Sequence, residues 1–141
     1  MVVKRLPPEE FRFLVEHGIL SSIDLIVFNS EGKVLVGERK NKPAQGYLFI
    51  PGGVMLHDET WDMALKRIGL AEIGIGLERK DVSFLGTYEQ MYPDNFTGRD
   101  FSTHYHAKGV KYKLNALDLP NPQVFNDQHK THVWLSIHEL L

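Results

Sequence analysis

The side chains best able to do chemistry are gathered around one stretch, Gly52 to Ile75, where a glycine pair leads through a short polar segment into a helical pattern. Its charged residues are Glu59, Arg67 and Glu72. Glu72 falls on the last turn of the helix and is the best candidate metal ligand. Mg2+ takes oxygen ligands and keeps several waters, so one or two carboxylates together with substrate phosphate oxygens can hold it. The plainer alternative is a carboxylate on a solvated helix face. Arg67 either orients Glu72 or faces a phosphate. Glu59 lies about two helical turns before Arg67, so a structural ion pair between them stands beside a catalytic role. Gly52 and Gly53 read as a tight turn that aims backbone groups at a ligand.

Other candidates are scattered along the chain. Arg39 ends a strand, and its guanidinium suits bidentate contact with phosphate oxygens, although an arginine there can equally be solvated. Asp24 sits between Ile23 and Leu25 in an apolar run. A carboxylate buried there needs a partner, a ligand or a raised pKa. Tyr105 carries little signal by itself. His129 follows Gln128 in a long loop. An imidazole titrates near pH 6.5, which suits a general base at neutral pH, while the alternative is one more surface histidine among seven. His104 and His106 alternate along one strand and so share a face. With no third ligand apparent, packing and hydrogen bonding account for them better than a metal.

The elements that must position these groups follow from pattern and punctuation. Pro7-Pro8-Glu9-Glu10 starts a helix with Phe11, Leu14 and Val15 on one face. Ile23 to Phe28 is a buried strand. Asn29-Ser30-Glu31-Gly32 is a turn, and Lys33 to Gly37 returns to complete a hairpin. Tyr47 to Ile50 is a brief strand that stops at Pro51-Gly52-Gly53. A helix begins near Asp58 or Glu59, presents Trp61, Ala64, Leu65 and Ile68 to the core, and ends at Gly74 and Gly76. Strands follow at Val82 to Tyr92 and Phe101 to Leu114. Asn115 to Lys130, with Pro120 and Pro122, reads as a long loop. Thr131 to Leu135 is a last strand, with Ser136 capping a terminal helix. The sum is an α/β (α+β) arrangement, a mixed β-sheet sandwiched between helices.

Bulk properties narrow the function. At 141 residues the chain is expected to be one domain, spanning 1–141. A hydrophobic content of 43% with 24% charged residues fits a globular protein. A net charge of -2 argues against nucleic acid or an anionic membrane as partner. The absence of cysteine removes disulfides and thiolate metal sites and is compatible with the cytoplasm. Lys4-Arg5 is not followed by a long apolar core, so no signal peptide is expected, and no run approaches the ~20 apolar residues of a membrane span.

The Gly53–Ile75 stretch resembles the Nudix box, in which a glycine, a glutamate and an Arg-Glu-U-x-Glu-Glu-x-Gly-U segment recur at fixed spacing (U is bulky and apolar). Gly53, Glu59, Arg67, Glu72, Gly74 and Ile75 fall on that pattern. Ile68 and Ala71 stand at acidic positions and Gly69 at an apolar one. Two of three clustered carboxylates are therefore missing. Asn41 to Gly53, Tyr92 to Gly98, Phe101 to Tyr105 and Gln128-His129, with Trp134 after them, are similar to the GDP-mannose mannosyl hydrolase branch of the Nudix family, which also lacks acidic residues at those two positions.

The resemblance implies a Nudix fold, Mg2+ with Mn2+ as a substitute, and hydrolysis of GDP-mannose or a close GDP-sugar to GDP and sugar with inversion at the anomeric carbon. It assigns the Gly52 carbonyl, Glu72 and Gln128 to the metal and His129 to the base. Arg39 and Tyr105 fall to the diphosphate, Asp24 to the sugar hydroxyls, and Arg67 to support of Glu72. Gln90 stands where the branch carries a histidine near the sugar, and Val54 where it carries an arginine near the diphosphate. The resemblance also implies a cytoplasmic homodimer acting on a nucleotide sugar. An ordinary Nudix pyrophosphatase releasing NMP and sugar phosphate, and a nucleotide-sugar binding module with little turnover, are the alternatives.

Overall fold

The computed structural model describes residues 4–39, 48–115 and 129–140, with the side chains of Arg39 and residues 129–131 outside that description. The chain opens with α1 (Pro8–His17) and β1 (Leu20–Phe28), followed by β2 (Val34–Arg39), β3 (Leu48–Phe49) and β4 (Gly52–Val54). Then come α2 (Trp61–Ile73), a 3-10 turn at Arg79–Asp81, β5 (Val82–Tyr92), β6 (Thr103–Lys113), β7 (His129–Leu135) and α3 (Ile137–Leu140). The described strands form one mixed sheet in the order β3-β2-β1-β6-β5, with β4 also on β1 and β7 on β2. β1 and β6 run parallel, and the other pairs are antiparallel.

Strand alternation divides β1 between two tasks. Ile23, Leu25 and Val27 are fully buried and pack with Val110 and Tyr112 of β6 against Ala64, Leu65 and Ile68 of α2. Burying each such side chain contributes roughly 1.5–3 kcal/mol. Ser22 and Asp24 point the other way, into the cleft described below. The hairpin turn is held as its residues suggest: the Asn29 side-chain oxygen accepts from the Glu31 and Lys33 amides at 3.0 and 2.9 Å. α2 starts later than the pattern suggests, because Thr60 is its N-cap, accepting from the Met63 amide at 3.2 Å. It stops at Gly74, whose φ of 74° lies in the left-handed region that glycine enters without strain. At the other end of the chain Ser136 caps α3, its hydroxyl accepting from the Glu139 amide at 3.2 Å.

Other expected boundaries differ too: β2 runs on to Arg39 and β6 begins only at Thr103. β1 begins at Leu20, ahead of the apolar run, because Ser21 and Ser22 pair with β6 residues His106 and Ala107. Pro51-Gly52-Gly53 is not a turn: Gly52–Val54 is a strand whose residues pair Asp24, Ile23 and Ser22 of β1. β7 begins at His129, which pairs with Arg39 of β2, so His129 opens a strand instead of ending a loop.

Candidate functional site

The two glycines of β4 face opposite sides of the sheet, and each makes room for a different neighbour. A Cβ on Gly52 would lie 2.6 Å from the Asp24 Oδ1, and one on Gly53 would lie 3.1 Å from the Ile68 Cγ1. The pair therefore serves close approach, of a carboxylate on one side and of helix α2 on the other. α2 then lays Glu72 against β4, where its Oε1 accepts from the Gly52 amide at 3.1 Å. Glu72 is only 5% exposed. A solvated helix face is thereby excluded for this residue.

Arg67 lies nearby on the same helix with its guanidinium committed. Its Nε donates to the Glu59 Oε2 at 2.6 Å, and its Nη2 donates to the Glu59 Oε1 at 2.9 Å and to the Val54 carbonyl at 2.8 Å. The Leu56 amide also donates to Glu59 Oε1, at 3.0 Å. The ion pair between Glu59 and Arg67 thus fastens the segment after β4 to α2. Hydrogen bonding from Arg67 holds the Glu59 carboxyl below its ordinary range, with the Leu56 amide adding to the effect and burial opposing it.

Asp24, paired with Gly52, has its own partner: the Gln90 Nε2 donates to the Asp24 Oδ2 at 2.7 Å, while the Gln90 Oε1 accepts from the Tyr92 hydroxyl at 3.3 Å. The Asp24 carboxylate, an acceptor only, fixes which end of the amide faces it, and the Tyr92 hydroxyl, able to donate or accept, adapts to the other end. Burial pushes the Asp24 carboxyl above its usual range, and the Gln90 hydrogen bond only partly offsets that. The ring of Tyr105 packs edge-on to Tyr92, with centroids 6.1 Å apart. One cleft of about 530 Å3 brings Asp24, Gly52, Arg67, Glu72, Gln90 and Tyr105 together. Ile68, Ala71 and Val54 line it as well.

Among the described residues no three His, Asp or Glu side chains form a metal-binding cluster. A lone buried carboxylate on the wall of a cleft nevertheless suits a hard divalent ion that completes its shell with waters and phosphate oxygens. His104 and His106 stack edge-on, 5.3 Å apart, and His106 Nε2 approaches Glu89 at 3.8 Å, away from the cleft lining. Gln128 lies outside the described residues, as do the side chains of Arg39 and His129. Two features of the site went unread in the sequence. The bond from Gln90 to Asp24 links residues 66 positions apart and leaves no local signal. The wall contributed by Lys4, Arg5, Leu6 and α1 has none either.

Comparison with known proteins accords with this arrangement. The family described as NUDIX domain matches residues 19–141. The chain is 36% identical over 111 residues to the low-salt glycan biosynthesis protein Agl8 of Haloferax volcanii, covering 79% of this chain and 69% of that protein. Its fold matches the NUDIX domain of Shewanella oneidensis NrtR, solved with ADP ribose, at a TM-score of 0.59 and 14% identity, covering 96% of this chain and 86% of that one. It also matches a MutT/nudix family protein from Enterococcus faecalis at a TM-score of 0.59 and 19% identity, covering 93% of this chain. The chain spans 46% of that protein's length. None of the described helices is long and apolar enough to cross a membrane.

Proposed function

The chain belongs to the Nudix family, and on that premise we propose that it hydrolyses GDP-mannose or a close GDP-sugar to GDP and the free sugar by inversion at the anomeric carbon. The observation that carries this reading is the polar content of the cleft. Glu72 is a single buried carboxylate on α2, flanked by apolar Ile68 and Ala71. Asp24, Gln90 and Tyr92 form a separate hydrogen-bonded set suited to sugar hydroxyls. Attack at phosphorus is served by several carboxylates around metal ions; departure of an intact diphosphate needs only that its charge be met. The glycan-biosynthesis role in the name of the Haloferax relative and the ADP ribose bound to the Shewanella domain are in keeping with a nucleotide-sugar ligand.

In this proposal Glu72, the Gly52 carbonyl and Gln128 would hold the divalent ion. When bound, Mg2+, or Mn2+ in its place, neutralises charge on the diphosphate. Arg39 and Tyr105 contact the phosphates, and Asp24 with Gln90 orients the sugar. Arg67 acts through Glu59 and Val54, keeping β4 and the segment after it in place beside Glu72. His129 takes the proton from a water whose oxygen attacks the anomeric carbon. The carbon–oxygen bond to the diphosphate breaks, and its electron pair leaves with GDP. Because leaving-group charge grows along this path, cations there stabilise the transition state more than the ground state. In this reading the Nudix domain works as a cytoplasmic homodimer.

Incubation with GDP-mannose and Mg2+ in heavy-oxygen water tests the reaction. GDP and labelled mannose are expected. GMP and mannose 1-phosphate, with the label on either, would place attack at phosphorus and make the protein an ordinary Nudix pyrophosphatase.

A further inference from the structure

The cleft extends beyond the groups used above to an end built from α1, its lead-in and the segment joining β5 to β6. Leu6, Pro8, Phe11, Leu56 and Phe96 line that end. Phe96 is 44% exposed although it is a large aromatic, and its ring meets Phe11 edge-on with centroids 5.3 Å apart. Its backbone is held firmly. Neighbouring Asn95 is completely buried, its amide donating to the Arg99 and Phe101 carbonyls at 2.7 and 2.6 Å and its oxygen accepting from the Thr97 amide at 2.9 Å. Arg99 is in turn paired to Glu9 of α1 at 3.2 Å, tying the segment to the helix opposite. A buried polar anchor that holds an aromatic ring at the mouth of an apolar recess is a preorganised platform for a flat ligand.

We infer that this end of the cleft seats the nucleobase, which stacks on Phe96 with Phe11 behind it. The inference rests on the proposed nucleotide-sugar substrate, whose shape is a flat apolar base at one end and a hydroxyl-rich sugar at the other. Asp24, Gln90 and Tyr92 suit the sugar, and the continuous cleft leads from them to the aromatic end. A ring face attracts any base, so the platform supplies affinity without reading base identity.

The test uses the full chain with Mg2+ and titrates GDP and inorganic pyrophosphate into wild type, Phe96→Ala and Phe96→Tyr by calorimetry. Loss of one base stack is expected to weaken GDP by about five-fold or more. Pyrophosphate, which has no base, is expected to bind Phe96→Ala as it binds wild type, and Phe96→Tyr is expected to keep its affinity for GDP. GDP binding to Phe96→Ala within two-fold of wild type would overturn the seat. So would GDP and pyrophosphate weakening in step, which would mark Phe96 as a structural residue. Either outcome would remove the seat and leave the carbon-attack reaction to be decided by its products. GMP and sugar phosphate as products, together with a selective loss of GDP affinity in Phe96→Ala, would remove that reaction and leave the seat.

Discussion

Two carboxylates, Asp24 on the lining of the cleft and Glu59 behind it on the lining residue Arg67, are held in opposite ways. Glu59 faces a guanidinium and a backbone amide, and its carboxyl is pulled below the ordinary range. Asp24 faces an amide side chain that carries no charge, and burial pushes its carboxyl up. The first arrangement uses up the acceptor capacity of its group to close a segment of chain onto a helix. The second leaves a charge-bearing oxygen beside open cleft, at a cost to folding that a ligand hydroxyl can recover. Charge compensation thus separates a residue that builds the site from one that is available to work in it.

The sharpest way to break this comparison is to remove the compensating charge. Arg67→Met leaves Glu59, whose side chain is 2% exposed, without its cation. Stripping one partner from a buried pair costs roughly 3–5 kcal/mol, read as a large fall in melting temperature, and activity is expected to fall with it. A variant that keeps wild-type stability but loses turnover would instead make Arg67 a residue that touches substrate.

Asp24→Asn probes the other side. The amide keeps the shape and one acceptor but loses the charge, so kcat/KM is expected to drop roughly 10- to 100-fold, the worth of a hydrogen bond to a charged group. The fold is expected to hold. Unchanged kinetics would take Asp24 out of the substrate contacts. Gly52→Ala comes next in size: its methyl meets the Asp24 Oδ1 and the Ile23 carbonyl, 2.7 Å away. A loss of about 1–3 kcal/mol is expected from the forced shift of β4 against β1. Equilibrium unfolding that places this variant level with wild type would show that β4 yields freely and that Gly52 is not there for clearance.

Much of this architecture was legible in the sequence because it is local. The helix ending at Gly74 carries its own apolar spacing and glycine stop, although its Thr60 cap was passed over, and the whole of β5 was bounded correctly by its flanks. The ion pair between Glu59 and Arg67 was legible as one of two alternatives, since eight residues along a loop and helix leave both open; the distances show that the pair forms. What stayed hidden depends on non-local pairing. Gly52-Gly53 reads as a turn because glycine is common in turns, but β1 pairs with it and makes it a strand. Nothing around residue 90 indicates that Gln90 will meet Asp24, since the contact arises only when β5, β6 and β1 assemble. The resemblance marked Gln90 as a departure; the fold shows the physical consequence, an amide donor fixed on a carboxylate.

The smallest effect expected separates the two carboxylates by sign. Glu59, depressed in the folded state, contributes stability that is present above its unfolded pKa and lost as pH falls through its folded one. Asp24, raised in the folded state, does the reverse. Its cost is present above its folded pKa and vanishes once the pH is below the ordinary aspartate range, where the group is protonated in both states. Glu59→Gln is therefore expected to melt below wild type at neutral pH. Asp24→Asn is expected to melt slightly above it; that gap should vanish below the ordinary carboxylate values of roughly 4, whereas the Glu59 gap should persist further into acid and close only through the lowered folded pKa. Melting temperatures measured from neutral to acid pH check this directly. An Asp24→Asn variant that is less stable than wild type at neutral pH would mean that the Asp24 carboxylate is compensated after all, and the contrast between the two residues would collapse.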